Sequence, residues 1–370
     1  MMTMKERLLA PFRGLAADHP AWAADLSYWY AAAEISGALP REYAGRDGYR
    51  KLHADLGVAY YYDYDSHLFD VRFDGVELTE ELSPRERTRR WRTSRGTLTE
   101  HWCFLEAASC WARDTYAVTT DRDLPILLEI CGRTRFTPAV HEFLRARDWI
   151  GDAGLPVAPV PRSPLPALLT DWCGVERAIY FLMDTPSIMQ SIMERIDEAN
   201  NEAFDIVVSA PCDLVHFCDN LDSSASTPFF EGFMREYYER RLALLHAAGK
   251  YAVVHLDGRV RGLLPLLASC GFDGVEAITP APVGDVEIQD LRGVAANPKT
   301  VLWGGIPGAM FCAPWTRGQV CAHTERLLEC LGGGNRLIVG SADQVPPNGN
   351  LDYCRAIAEI VQTANGCGAP

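Results

Sequence analysis

The chain has 370 residues, of which 48% are hydrophobic and 23% are charged, and its formal net charge is −14 at pH 7. This composition is typical of a packed globular protein and argues against a disordered chain. A negative surface repels phosphate polyanions, so neither nucleic acid nor an anionic membrane is expected as a partner. The chain shows no signal-peptide core and no run of about 18 apolar residues, which predicts a soluble, cytoplasmic protein.

Twelve cysteines are scattered along the chain without a CxxC pair. Zinc fingers and thioredoxin-like redox sites need such close pairs, so neither is predicted. Reduced cysteine packs like a small hydrophobic residue, and we expect most of these side chains to lie in the core. We single out Cys218, because Asp219 follows it directly.

The N-terminal part of the chain lacks a regular repeat and is rich in aromatic residues. Residues 19–40 show a helical pattern that begins after a proline and ends at Gly-Ala-Leu-Pro. A tyrosine-rich run follows at 58–66. Apolar and polar residues then alternate at 70–82 and 89–102, which predicts a β-hairpin-like excursion. We interpret this part as a cap that packs over the rest of the protein.

From about residue 120 the pattern changes to helices that alternate with short apolar strands. Long helical patterns lie around 179–208 and 229–248. Repeated βα units of this length imply a parallel sheet. We therefore predict an α/β fold, a (β/α)8 barrel of the TIM type, with residues 1–105 as the cap and 106–370 as the barrel, in one structural unit. The apolar runs predicted as strands lie at 154–165, 212–220, 251–257, 274–279, 300–306 and 337–343.

Polar residues follow these apolar runs at their C-terminal ends, the edge where TIM barrels assemble their active sites. His255 and Asp257 are two positions apart on a strand and so point to the same face. Glu276 lies on the next predicted strand, and Asp343 on the last. One imidazole and up to three carboxylates favour a divalent metal such as zinc, manganese, iron or cobalt. An alternative is that Asp257 forms an ordinary salt bridge with a nearby arginine, Arg259 or Arg261.

Four stretches support a resemblance to a known superfamily: SPLPALLTDWCGVERAIYFLMDTP, GDVEIQDLRGVAAN, LWGGIP and DQVPPNGN. On these motifs, residues 90 to 365 resemble the uroporphyrinogen decarboxylase superfamily of barrels. This superfamily includes zinc-dependent methyltransferases that act with methylcorrinoid proteins. The resemblance implies a barrel with its active site at the C-terminal ends of the strands.

The methyltransferase branch carries His-x-Cys-Gly at this strand and a further cysteine at the last strand, and the related cobalamin-independent methionine synthases add a glutamate between them. This chain has HLDG at residues 255–258 and no cysteine at the last predicted strand. By position the resemblance carries over His255 and Glu276, with Asp257 and Asp343 in place of thiolates. A carboxylate-rich site leaves the metal more electrophilic and suits an oxygen donor.

The resemblance implies methyl transfer or demethylation of a small methylated compound, linked to a corrinoid protein. The metal, zinc in preference to manganese, iron or cobalt, would polarise the substrate, and a partner protein would carry the methylcorrinoid. The sequence leaves the oligomeric state open, with a homodimer as one candidate. The residues assigned to catalysis are Asp219, His255 and Asp257, and those assigned to substrate binding are Asn220, Gln344 and Tyr62, the last within the aromatic run 60–64.

Two other functions stay open. A metal-dependent lyase or decarboxylase would use the same carboxylates on a small carboxylated substrate. The decarboxylases hold substrate carboxylates with an N-terminal arginine segment, and REYAGRDGYR, with Arg41 and Arg46, is only an echo of it. The third function is a non-catalytic metabolite- or corrinoid-binding protein.

Overall fold

The structure is a computed structural model and describes residues 2–62 and 66–364, so residues 63–65 of the tyrosine-rich run lie outside it. The strands are β1 (Trp22–Asp25), β2 (Phe69–Phe73), β3 (Glu77–Leu82), β4 (Glu86–Thr93), β5 (Gly96–Leu105), β6 (Cys110–Thr115), β7 (Thr134–Pro138), β8 (Ala158–Val160), β9 (Leu214–Leu221), β10 (Tyr251–Leu256), β11 (Gly274–Ile278), β12 (Val301–Pro307) and β13 (Leu337–Gln344). The α-helices are α1 (Met4–Arg13), α2 (Ser27–Ile35), α3 (Gly45–Leu56), α4 (Leu124–Arg133), α5 (Val140–Ile150), α6 (Pro164–Ala167), α7 (Val175–Asp184), α8 (Pro186–Ser209), α9 (Ser223–Ser226), α10 (Arg235–Ala247), α11 (Leu264–Cys270), α12 (Leu291–Ala295), α13 (Arg317–Leu331) and α14 (Leu351–Thr363).

A curled parallel sheet lies at the centre of the fold, with seven strands in the order β1-β13-β12-β11-β10-β9-β8 among the described residues. Residues 59–61 lie between the edge strand β1 and the segment that leads into the other edge strand, β8. There the Ala59 N–H donates to the Trp22 carbonyl at 2.8 Å, and the Leu155 N–H donates to the Tyr60 carbonyl at 2.9 Å. The predicted α/β fold is therefore confirmed as a curled parallel sheet with many helices, an arrangement consistent with a TIM-like fold.

The sequence predicted the strands of the C-terminal half well. Strands β10 and β11 lie within predicted apolar runs, and β9, β12 and β13 extend one residue beyond theirs at the C-terminal end. All residues of β11 and β12 are buried. A parallel strand that is covered on both faces reads as a continuous apolar run, which explains why these segments were recognisable.

Helices cover the outside of the sheet, and proline sets one of their boundaries. The helical pattern predicted around 179–208 is two helices, because α7 ends at Asp184 and Pro186 begins α8. Proline lacks a backbone N–H, so it is tolerated in the first turn and breaks a continuous helix. None of the described helices combines the length and the apolar character that crossing a membrane requires.

Helix α1 packs at the N-terminal ends of the strands. Its Leu8 and Phe12 belong to the same buried cluster as Leu214, Val253 and Val301, which lie at or near the starts of β9, β10 and β12. Apolar side chains therefore fill this end of the barrel. The opposite end, where the strands finish, holds the polar residues that the sequence analysis singled out.

The first 105 residues contribute to more than one layer. Strand β1 belongs to the parallel sheet and pairs with β13. The predicted hairpin-like excursion falls on an antiparallel sheet with the order β3-β4-β5-β6, while β2 pairs with β7. The packing of the remaining N-terminal residues as a cap over the barrel stays a prediction.

Candidate active site

A cavity of about 220 Å³ lies at the C-terminal ends of the parallel strands. In TIM-type barrels this end carries the residues of catalysis. Strands β1, β9, β10, β11 and β13 and the segment after residue 60 all contribute side chains to it. The lining residues are Asp25, Tyr61, Tyr62, Arg162, His216, Cys218, Asn220, His255, Glu276, Asp343 and Gln344.

Strand β9 presents three polar side chains on one face. His216, Cys218 and Asn220 are spaced by two residues, so they point to the same side of the strand. His216 is buried, Cys218 is half-buried and Asn220 is exposed, so the row rises from the barrel interior to the mouth. Phe217 points the other way and packs on Phe272 in the helical layer, at 5.2 Å between ring centroids.

Glu276 joins two imidazole rings. His255 and Glu276 are register partners on β10 and β11, which places their side chains next to each other. The Nδ1 atom of His255 lies 2.7 Å from Glu276 Oε2, and the Nε2 atom of His216 lies 3.3 Å from the same oxygen. Tyr61 donates its hydroxyl to Glu276 Oε1 at 3.3 Å. One buried carboxylate therefore holds both rings in place.

Opposite charges dominate the electrostatics of this cluster. Burial opposes ionisation of Glu276, but the His255 and His216 rings outweigh it and lower the pKa of Glu276 to about 2. Burial likewise opposes a charged His216, yet Cys218 and Glu276 raise its pKa to about 9. The pKa of His255 rises well above its usual value, because Glu276 and Asp257 overcome the effect of burial.

The Cys218 side chain lies next to this cluster. Its Sγ atom lies 2.9 Å from His216 Nδ1 and 3.7 Å from the Tyr62 hydroxyl oxygen. Burial favours the neutral thiol, but the contact with His216 outweighs it and lowers the pKa of Cys218. The thiolate is the form that binds metals, and a lowered pKa favours that form.

The arrangement fits a divalent metal. His216, His255 and Glu276 each offer one ligand atom, and these atoms all lie within 4.8 Å of one another. Two imidazoles and a carboxylate are a common set of protein ligands in catalytic zinc sites, which keep a fourth position for water or substrate. Cys218 is not part of this group of three. Its sulfur, a soft donor of the kind that favours zinc over manganese, lies beside His216 Nδ1, whereas Glu276 lies beside His216 Nε2.

The structure brings most of the predicted site residues together. His255 and Glu276 are in contact, and the predicted substrate-binding residues Tyr62, Asn220 and Gln344 line the same cavity.

Asp343 also lines the cavity, at the exposed rim. Partial burial raises the pKa of its carboxyl to about 6, against an opposing effect of His255, and the carboxylates of Asp257 and Glu276 add to the rise. Asn220 and Asp343 both have left-handed backbone, with φ of 50° and 69°. Asparagine and aspartate tolerate that conformation better than most residues.

Asp257 lies farther from the cluster. Its Oδ2 atom is 3.8 Å from His255 Nε2, its side chain is 41% exposed, and it is not among the residues that line the cavity. Within the described ranges Asp257 forms an ion pair with His255 and with neither Arg259 nor Arg261, so the alternative salt bridge is not formed there. The Arg261 side chain instead donates to the Asp285 carbonyl.

Asp219 lies behind the wall of the cavity and does not line it. Its buried carboxylate accepts hydrogen bonds from the Ser163 N–H at 2.9 Å, the Ser163 hydroxyl at 2.6 Å and the Tyr238 hydroxyl at 2.7 Å. These contacts tie β9 to the α6 and α10 region. We therefore leave Asp219 out of the catalytic set.

The sequence analysis did not assign His216, and it singled out Cys218 only for its neighbour. The missed signal is the His-x-Cys spacing at residues 216–218, which repeats the spacing of His255 and Asp257 one strand earlier. A two-residue spacing places both side chains on one face of a strand. Directly after β10, where the methyltransferase branch carries a cysteine, this chain has Asp257, while a thiol, that of Cys218, occurs on the neighbouring strand β9.

Comparison with known proteins assigns the chain to a family. A family model described as uroporphyrinogen decarboxylase (URO-D) matches residues 167–364, which is more than half of the chain. The chain belongs to the uroporphyrinogen decarboxylase family. The matched region includes β9 to β13 and therefore His216, Cys218, His255, Glu276 and Asp343. No curated protein matches the chain.

Solved structures similar to this member of the uroporphyrinogen decarboxylase family include a methyltransferase from Methanosarcina mazei. That likeness has a TM-score of 0.58 at 16% identity and covers 97% of this chain and 98% of that chain. At this identity the likeness shows a shared fold. A chitinase from Chromobacterium violaceum ATCC 12472 has a TM-score of 0.34 at 11% identity, with 64% of this chain and 88% of that chain covered, and it carries no argument.

Proposed function

We propose that this member of the uroporphyrinogen decarboxylase family is a zinc-dependent methyltransferase. It would move a methyl group from a small methylated compound to the corrinoid of a partner protein. The observation that carries the proposal is the Glu276 carboxylate shared by His216 and His255, with the Cys218 sulfur beside them. The fold shared with the Methanosarcina mazei methyltransferase supports the reaction class.

In this proposal His216, Cys218, His255 and Glu276 would hold the zinc, which can take a substrate heteroatom as a fifth ligand. A bound divalent metal supplies Lewis acidity that polarises the heteroatom carrying the methyl group. The Tyr61 hydroxyl donates to Glu276 and fixes the orientation of its carboxylate. Hydrogen bonds of this kind, from groups behind the ligands, set ligand geometry in metal sites.

Residues at the rim would bind the substrate. Tyr62, Asn220 and Gln344 line the cavity above the cluster and offer hydroxyl and amide groups. A cavity of about 220 Å³ suits a small molecule. A corrinoid is much larger, so it would approach from the mouth, as part of a partner protein.

A methyl-transfer assay tests the proposal. Zinc-loaded protein is mixed with cob(I)alamin, the reduced form of cobalamin, and one methyl donor. The donors, each in its own reaction, are methanol, methylamine and methoxybenzene. The cobalt nucleophile takes the methyl group, and the heteroatom of the donor keeps the electron pair of the broken bond. We expect the visible spectrum of methylcobalamin with at least one donor. Glu276→Gln should abolish this spectrum, and wild-type protein that binds zinc but methylates no cobalamin would overturn the proposal.

A decarboxylase is the second candidate. The matched family is described by that activity, and the Asp343 carboxyl, with its pKa raised to about 6, suits a proton donor near neutral pH. Carbon dioxide release from small carboxylic acids, measured on the same samples, separates the two reactions. Release that Asp343→Asn abolishes, without methylation of cobalamin, would favour the decarboxylase.

A further inference from the structure

A second cavity, of about 300 Å³, lies beside the active site and is mostly apolar. We call it the aromatic chamber and define it by Phe69, Val71, Phe73, Phe136 and Trp172. The first three alternate along β2, so one face of that strand forms a wall. Phe69 and Phe136 meet edge to face, with ring centroids 5.2 Å apart. Apolar cavities with few polar groups are typical of small-molecule sites.

Arg162 belongs to both cavities. It lines the aromatic chamber and also the active-site cavity. Its Nε atom donates to Asp171 at 3.1 Å, and its Nη1 atom donates to the Asn220 side-chain oxygen at 3.2 Å and to the Cys218 carbonyl. Its Nη2 atom makes no hydrogen bond to the residues that the structure describes. A cation with an available donor therefore lies at the boundary between the two cavities.

We propose that the aromatic chamber binds the apolar body of a carboxylic acid, and that Arg162 binds its carboxylate. This ligand class rests on the proposed function, since it takes the cavity of His216, His255 and Glu276, which Arg162 also lines, as the active site. Apolar surface drives the body of the acid out of water. The guanidinium Nη2 donates to the carboxylate in a charge-assisted hydrogen bond, which is stronger than a neutral one.

Calorimetry on the full chain with three probes tests the chemistry of the chamber. Benzoate has both the ring and the charge, benzamide lacks the charge, and acetate lacks the ring. We expect benzoate to bind at least about tenfold more tightly than either of the others, since each lacks one contribution. Equal affinity for benzoate and benzamide, or no binding of benzoate, would overturn the proposal. In Arg162→Gln the preference for benzoate over benzamide should disappear, and a preference that survives rejects the role of Arg162.

A matched pair of variants tests the place of binding. Val71 in the chamber and Val283 elsewhere on the surface are 52% and 50% exposed, so neither substitution buries the new carboxylate completely. Val71→Glu brings a negative charge into the chamber and should lower the affinity for benzoate at least about tenfold, because like charges repel. Val283→Glu should leave the affinity unchanged. An equal effect of both substitutions, or no effect of Val71→Glu, places the ligand elsewhere and overturns the proposal.

The binding measurement is independent of the methyl-transfer assay. Benzoate binding by the wild type requires neither zinc nor corrinoid, so it survives a failure of the proposed reaction. Conversely, methyl transfer by a protein that does not bind benzoate would reject only the proposal that the aromatic chamber binds a carboxylic acid.

Discussion

His216 changes the expected composition of the candidate metal site. The sequence suggested His255, Asp257, Glu276 and Asp343 as ligands, whereas the cluster of ligand atoms within 4.8 Å contains His216, His255 and Glu276. His255 and Glu276 were predictable because they lie on consecutive strands of a parallel sheet. His216 was not, because its strand reads as a buried apolar run, and only the fold places its ring against a carboxylate from β11.

Replacing single ligands ranks their contributions. His216→Ala should lower zinc affinity by at least about tenfold, since it removes a donor that belongs to the cluster. Asp257→Ala should have a smaller effect, because its carboxylate is 41% exposed and lies 3.8 Å from His255 Nε2. Zinc per chain, measured by elemental mass spectrometry after gel filtration, compares the two variants with the wild type. A larger loss of zinc in Asp257→Ala than in His216→Ala would favour Asp257 as a ligand, as the sequence suggested.

His53 makes folding sensitive to acid. Its ring is buried between Tyr49 and Tyr60, and burial lowers its pKa to about 3, against a weaker opposing contact with Val58. The unfolded chain binds this proton near pH 6.5, so the contribution to stability is complete above that pH and is lost as pH falls toward 3. Removing this titration should therefore make the protein less sensitive to acid.

Denaturant unfolding at pH 7 and pH 5 measures this effect. His53→Leu should reduce the loss of unfolding free energy between these two pH values by about 2 kcal/mol. His141→Leu is a suitable control, because the His141 side chain is 72% exposed. If His53→Leu lost as much unfolding free energy between pH 7 and pH 5 as the wild type does, the role of His53 would be contradicted.

Strand β1 shows how tertiary contacts override local sequence. Residues 19–40 predict a helix, yet Trp22–Asp25 is a strand and the helix begins only at Ser27. The residues WAAD have little intrinsic strand preference. Their backbone is extended because it pairs with β13 on one side and with residues 59–61 on the other. On the second side, for example, the Ala59 N–H donates to the Trp22 carbonyl. Such non-local pairing cannot be read from a single segment.

Gly304 on β12 is required by its neighbour β11. Its φ is 139°, and a Cβ atom there would lie 2.6 Å from the Ile278 nitrogen. Gly304→Ala should therefore cost roughly 2 to 4 kcal/mol of unfolding free energy, from strain and from the clash with backbone. Gly293→Ala, where a Cβ meets nothing within 4 Å, should be neutral or slightly stabilising. Equal unfolding free energies for the two variants in urea would contradict this account of β12.

At the level of the whole molecule, the N-terminal residues take part in the main fold. A deletion of residues 1–55 removes α1, whose side chains pack at one end of the barrel, and β1, which pairs with β13. We expect the shortened chain to lose its cooperative thermal transition, because the parallel sheet loses an edge strand and part of its core. A truncated protein with the melting temperature of the wild type would show that these residues are dispensable.

The match to the uroporphyrinogen decarboxylase family agrees with the resemblance that the sequence motifs carry. It spans the strands that hold His216, Cys218, His255 and Glu276, so the family and the proposed zinc site concern the same region. The proposed chemistry depends on which atoms would bind the metal, and a sulfur ligand would separate this arrangement from the carboxylate-rich site expected from HLDG.

X-ray absorption at the zinc edge of the zinc-loaded protein reports these ligands. We predict one sulfur at about 2.3 Å and nitrogen or oxygen ligands at about 2.0 to 2.1 Å. The sulfur signal should disappear in Cys218→Ser and persist in Cys321→Ser, which changes a cysteine on helix α13. Zinc bound without sulfur in the wild type, or no retained zinc at all, would contradict a centre built from His216, Cys218, His255 and Glu276.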